Sequence, residues 1–139
     1  MAKLNPYLTF DGTARAAIEF YAAVFGGHVK VTTFDEFGDA GNHGVMHAQL
    51  DTLEGFTLMA SDLPPGGGAD HVVGTNVAVS LSGMEADLLR EYWHRLSSGA
   101  TVTLPLEKQM WGDEFGMLID RFGVHWMVNI AAAPAAAAP

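Results

Sequence analysis

The residues best placed for chemistry sit in one short run. His47 and Gln49 lie two apart within residues 45–51, a stretch rich in types suited to a strand. Side chains two apart on a strand share a face. Imidazole exchanges protons near neutral pH, so on a face that meets a ligand His47 can act as general base while Gln49 orients a carbonyl. The bland reading is a hydrogen-bonded histidine inside a sheet. Trp111 stands in a loop with Gly112 and Asp113. It offers a pocket an aromatic wall, or it packs in a core or a dimer contact; Asp113 reads as a turn residue. His43 and His47 have the four-residue spacing of a helical metal pair, but Gly44 and the β-rich run around it deny the helix. Asp35, Glu36 and Asp39 read as a solvated loop. Tyr21, Phe25, Tyr92 and Trp93 fall at helical spacing and read as core.

Composition narrows the classes. The chain has 139 residues and no cysteine, so disulfides and thiolate metal sites are excluded. Its length fits one domain, and 49% hydrophobic against 17% charged residues is a globular balance. Seven Lys and Arg against sixteen Asp and Glu leave a net charge of -9. A nucleic-acid backbone is repelled by such a surface, and a basic membrane patch is missing. The expected partner is a small-molecule ligand, with no nucleic acid and no membrane. No apolar run approaches the ~18 residues of a span, and the opening residues lack the apolar stretch of a signal peptide. The expected location is cytoplasmic.

The elements that must position these residues follow from periodicity and punctuation. Residues 3–10 read as a strand, residues 14–25 as a helix that Thr13 caps and Gly26-Gly27 ends, and residues 28–34 as a strand. Residues 35–44 read as a loop. Residues 45–51 and 56–61 read as a hairpin around Leu53-Glu54-Gly55. A linker at residues 63–74 holds Pro64-Pro65-Gly66-Gly67-Gly68. The order then repeats: strand 76–82, helix 85–96, strand 100–104, a loop 105–114, and a hairpin of 115–120 with 125–130. The glycines at 66–68 do not pass from a strand into a helix, so they form no phosphate cradle. The tail, residues 131–139, is an Ala/Pro run with no chemistry assigned.

Both halves run strand, helix, three strands. Asn5 matches Asn76, Tyr21 matches Tyr92 and Phe25 matches Leu96 at an offset of 71; Gly55 matches Gly123 and Met59 matches Met127 at 68. Such self-similarity argues for a duplicated unit. A module with one helix covers one sheet face and leaves the other bare. The expected fold class is therefore α+β, two βαβββ modules forming an incomplete barrel-like cleft. The expected boundaries are module one 3–62, linker 63–74 and module two 75–130, in a single domain 1–130.

The likeness to a family is carried by longer strings. Asn5-Pro6-Tyr7-Leu8-Thr9-Phe10-Asp11-Gly12, Met46-His47-Ala48-Gln49-Leu50 and Leu58-Met59-Ala60-Ser61-Asp62 resemble the first half of PhnB-like proteins. Leu104-Pro105-Leu106, Trp111-Gly112-Asp113, Phe115-Gly116-Met117 and residues 120–129, from Asp120-Arg121-Phe122-Gly123 to Asn129, resemble the second. These proteins form a branch of the vicinal-oxygen-chelate superfamily, which includes glyoxalases, bleomycin-resistance proteins and dioxygenases. The resemblance implies paired modules and a homodimer, and in many members a divalent metal that stabilises an enolate-like charge. The slots where relatives carry metal ligands hold Asn5, Met59, Asn76 and Met127 here. Amide oxygens and thioethers are poor company for Zn, Fe or Mn. No cofactor is expected, and a divalent metal stays open only if the register shifts toward His125. The pocket reading gives Asn5, Gln49, Asn76 and Trp111 polar and aromatic contacts and makes Met59 and Met127 its apolar wall.

The resulting expectation is a glyoxalase-like small-molecule-binding protein, open to being an enzyme of unknown reaction that transfers a proton next to a carbonyl with His47 as base. The alternatives are a non-catalytic sequestering protein of the bleomycin-resistance type and a metal-dependent lyase or dioxygenase. PhnB-like chains also carry a demethylubiquinone methyltransferase label. It is discounted because no Gly-rich strand-to-helix turn for S-adenosylmethionine is visible.

Overall fold

The computed structural model describes residues 1–66 and 71–133. The chain divides into two compact units, Met1–Val73 and Gly74–Pro139. Part of the linker and most of the Ala/Pro tail lie outside the described residues.

In the first unit β1 (Tyr7–Phe10) leads to α1 (Ala14–Phe25), then β2 (His28–Thr33), β3 (Val45–Asp51) and β4 (Thr57–Asp62). The sheet order is β1-β4-β3-β2, with β1 parallel to β4 and the other pairs antiparallel. The second unit repeats this with β5 (Val79–Gly83), α2 (Ala86–Leu96), β6 (Thr101–Lys108), β7 (Glu114–Ile119) and β8 (His125–Ile130), in the order β5-β8-β7-β6. Among the described residues the fold is α+β, with two four-stranded sheets, two α-helices and no closed barrel.

Each helix buries one stripe on one sheet face. Ala17, Ile18, Tyr21 and Val24 of α1 are buried with Ala48 and Leu50 of β3 and Leu58 and Ala60 of β4. Removing the larger aliphatic side chains among these, Ile18, Val24, Leu50 and Leu58, from water stabilises by about 1.5–3 kcal/mol each. In the second unit Leu89, Tyr92 and Leu96 of α2 are buried, as are Leu118, Trp126, Val128 and Ile130 of the sheet. Gly116 lets α2 come close: a Cβ there would lie 2.7 Å from the Trp93 ring and 2.9 Å from the Leu106 backbone.

Two buried carboxylates fasten the elements. Asp62 accepts from the Ala14 N–H at 3.0 Å and the Val45 N–H at 2.9 Å. It therefore supplies the side-chain cap expected of Thr13, which makes no side-chain cap bond. Asp120 accepts from the Phe122 N–H, the Val124 N–H and the Trp126 indole N–H at 2.8, 3.1 and 2.8 Å. Thr52 holds the matching place in the first unit, where its hydroxyl accepts from the Phe56 N–H at 2.8 Å.

The opening strands are shorter than the sequence suggests. β1 begins at Tyr7, because Pro6 has no N–H to give a ladder; its carbonyl accepts from the Met59 N–H at 3.1 Å. β5 begins at Val79 and not at Asn76. Conversely β6 runs through Pro105 to Lys108, absorbing the first four residues of the expected loop. It is an edge strand whose register slips on both sides of Leu104, the setting in which a sheet tolerates proline. The expected loop at 35–44 holds one short 3-10 turn, Asp35–Phe37.

Candidate functional site

The helix-free face of the first sheet is built from alternating residues. In register, Tyr7 of β1 lies beside Met59 of β4, Met59 beside Gln49 of β3, and Gln49 beside Lys30 of β2. His47 reaches this face through a bulge. Thr32 pairs with His47 and Thr33 with Val45, so Met46 is an extra residue in β3. Val45 therefore stays in the core while His47 and Gln49 point the other way. A bulge re-aims side chains in this manner and is common next to functional sites.

The Tyr7 hydroxyl lies 3.0 Å from His47 Nδ1, with ring centroids 5.6 Å apart. The two residues sit on the strands flanking β4, so their bond passes across that strand. A phenol that donates to Nδ1 leaves the proton on Nε2; an Nδ1–H that donates to the phenol leaves Nε2 with its lone pair. Either way Nε2 is the atom left for a ligand. Beside it, Gln49 Nε2 donates to the Asp51 carboxylate at 3.0 and 3.2 Å, and the Thr57 hydroxyl donates to the same group at 2.9 Å. Gln49 thus keeps its carbonyl oxygen and one N–H for a ligand.

The second unit's helix-free face places Met127 between Ser80 and Met117, and Asn129 between Ser82 and Phe115. Trp111 is 60% exposed and packs edge-on against Phe115 with centroids 6.1 Å apart. Asp113 accepts from the Asn129 amide at 3.0 Å and the Ala132 N–H at 2.8 Å. Those two bonds, the Asn129 one first, hold its carboxyl below the usual carboxylate range.

The expected residues therefore fall into groups. His47, Gln49 and Met59 share one face of the first unit, and Asn5 stands at its margin, half-buried, two residues before β1. Met127 and Trp111 belong to the second unit. Asn76 is exposed three residues before β5, and the strand neighbour of Met127 is Ser80. Sequence reasoning missed Tyr7, Asp51 and Asn129 as polar members. Alternation alone marks Tyr7 with Thr9 and Asp51 with Gln49, but only the strand order brings Tyr7 to His47.

The donor set does not fit a metal. Among the described residues no three His, Asp or Glu side chains stand together as a metal cluster. Met59 and Met127 offer only soft thioethers. His43 meets Asp35 at 3.3 Å on an exposed loop, apart from His47 on β3.

Comparisons with known proteins agree with this architecture. A family model for 3-demethylubiquinone-9 3-methyltransferase matches residues 2–129. An uncharacterized protein of Mycobacterium tuberculosis is 36% identical over 134 residues, which is 91% of this chain and 72% of the relative. A solved protein of Pseudomonas aeruginosa superposes with a TM-score of 0.80 at 32% identity, over 96% of this chain and 100% of that one. A glyoxalase/bleomycin resistance protein/dioxygenase domain from Frankia superposes with a TM-score of 0.65 at 16% identity, over 94% and 98% of the two chains, a likeness of fold.

Proposed function

The chain belongs to the 3-demethylubiquinone-9 3-methyltransferase family, the PhnB-like branch of the vicinal-oxygen-chelate superfamily, and from that premise we propose that it binds a small carbonyl compound and moves a proton next to the carbonyl, with His47 as base. The observation that carries the reading is the 3.0 Å contact between Tyr7 and His47 on an open, polar sheet face. Nε2 removes a proton from the carbon beside the carbonyl, and the C–H electron pair moves into the carbonyl as an enolate. The imidazolium then donates from Nδ1 to the Tyr7 oxygen, which steadies the added charge. The free Gln49 N–H faces the enolate oxygen, and Met59 supplies apolar floor. Return of the proton to the same carbon gives exchange; return to a neighbouring carbon gives isomerisation.

Methyl transfer has no support in the strand-to-helix turns. They read Asp11-Gly12-Thr13 and Met84-Glu85, neither the glycine-rich cradle that a nucleotide-like cofactor needs. A metal-dependent lyase or dioxygenase needs ligands that the faces do not offer. The non-catalytic binder keeps one favouring observation: the Asp51 carboxylate at the edge of this face, in a chain of net charge -9, suits a cationic ligand.

One substitution separates enzyme from binder. Carbonyl compounds that raise the melting temperature are carried into titration and turnover assays with wild type and His47→Ala. The enzyme reading expects affinity to change by less than roughly tenfold while conversion falls by about 10²-fold or more, the usual reach of a general base. Affinity that collapses in His47→Ala, with no conversion of any bound compound by wild type, supports the binder instead.

A further inference from the structure

The second unit holds a cavity of about 450 Å³ lined by its own residues. It opens where the start of α2 meets the end of β6, the start of β7 and the end of β8, and its size falls within the ~300–1,000 Å³ of small-molecule sites. One wall is apolar: Met84, Ile130 and the alanines at 131–133. That wall is fixed by its backbone. The Ala131 N–H donates to the Gly83 carbonyl at 2.8 Å, and the Ala132 N–H to Asp113 at 2.8 Å.

The polar wall carries Arg90, Lys108 and Glu114. Arg90 and Glu114 neutralise one another through a two-pronged contact, with Nε donating to Oε2 at 3.2 Å and Nη2 donating to Oε1. Asp87 adds a looser contact to Arg90 at 3.7 Å. Lys108 takes part in none of the ion pairs among the described residues. The preceding Glu107 projects to the other side of β6 by strand alternation. Lys108 stands opposite Glu114 in the β6–β7 register, and with Glu114 held by Arg90 the cavity presents one ammonium outside any ion pair beside a hydrocarbon surface.

We infer that this cavity binds a monocarboxylate with a short apolar body, the carboxylate on Lys108 and the hydrocarbon against Met84, Ile130 and the alanines. One free cation matches one negative charge; a dianion would leave its second charge facing Glu114. The apolar wall explains why inorganic anions are not the ligand. The inference does not depend on His47.

Sodium octanoate is the probe, titrated into the full chain by calorimetry and by amide NMR. The expected result is saturable binding with shifts clustered at Gly112, Ile130, Ala131 and Ala132. Lys108→Met should weaken binding by roughly tenfold or more, 1-octanol should bind correspondingly weaker than octanoate, and His47→Ala should bind octanoate as wild type does. The amide spectrum of each variant verifies its fold. The inference is overturned by no saturation at millimolar octanoate, by shifts centred on Tyr7 and His47, or by a folded Lys108→Met with wild-type affinity.

Discussion

Asp113 works by holding other atoms still. Its two oxygens take the Asn129 amide and the Ala132 N–H, and both bonds favour the charged form. A carboxyl held below its ordinary value keeps these bonds throughout neutral pH and loses them only as pH falls through the lowered pKa. The Ala132 amide shift should therefore titrate with a midpoint below 3.8. A midpoint at or above 3.8 contradicts the assigned partners. At this scale the sequence marks residue types more readily than partners. Asp113 reads as a turn residue, and its role comes from Asn129, a β8 residue that only folding brings near. His47 and Gln49 are legible because two-residue alternation is local. Tyr7 is not, because its contact depends on β1 lying parallel to β4, a pairing between segments about fifty residues apart.

The elements depend on a few backbone positions that tolerate no side chain. Gly27 has φ +115, and a Cβ there would lie 2.0 Å from the Asp51 carbonyl oxygen. It brings the end of α1 directly against the end of β3, the strand that carries His47. Gly12, with φ +88, has open space around its missing Cβ. Gly12→Ala should cost about 1–2 kcal/mol, the strain of a left-handed residue alone. Gly27→Ala adds a backbone collision and should cost more than Gly12→Ala by at least about 1 kcal/mol. Urea unfolding followed by the amide NMR signals of the first unit checks this, and equal losses at the two sites would refute the close approach. Both helices are legible from their apolar stripes and from the glycines or serine after them. The limits of β1, β5 and β6 are not. Prolines set where N–H groups are missing, but whether that ends a strand depends on its place in the sheet: Pro6 precedes β1, while Pro105 sits inside edge strand β6.

At the scale of the whole molecule the duplication is the strongest statement the sequence makes, and both units show it. Gly55 N–H bonds to the Thr52 carbonyl and Gly123 N–H to the Asp120 carbonyl, one turn at two places. The match of Met59 with Met127 holds in the strands, each methionine standing next to the parallel strand of its own sheet. The match of Asn5 with Asn76 does not carry into equal surroundings, since Asn5 is half-buried and Asn76 exposed. Duplicated units that diverge on their open faces keep a fold while changing chemistry. Here the first unit has acquired an imidazole with a phenol partner, and the second a tryptophan, a phenylalanine and a carboxylate-bound amide. The most direct test of the central claim is proton exchange itself. Carbonyl compounds that bind are incubated with the protein in D2O, and loss of the signal from the hydrogen beside the carbonyl is followed by proton NMR. The account predicts deuterium uptake that wild type accelerates, that Tyr7→Phe slows and that His47→Ala abolishes. Binding without uptake in wild type, or uptake unchanged in His47→Ala, would contradict it.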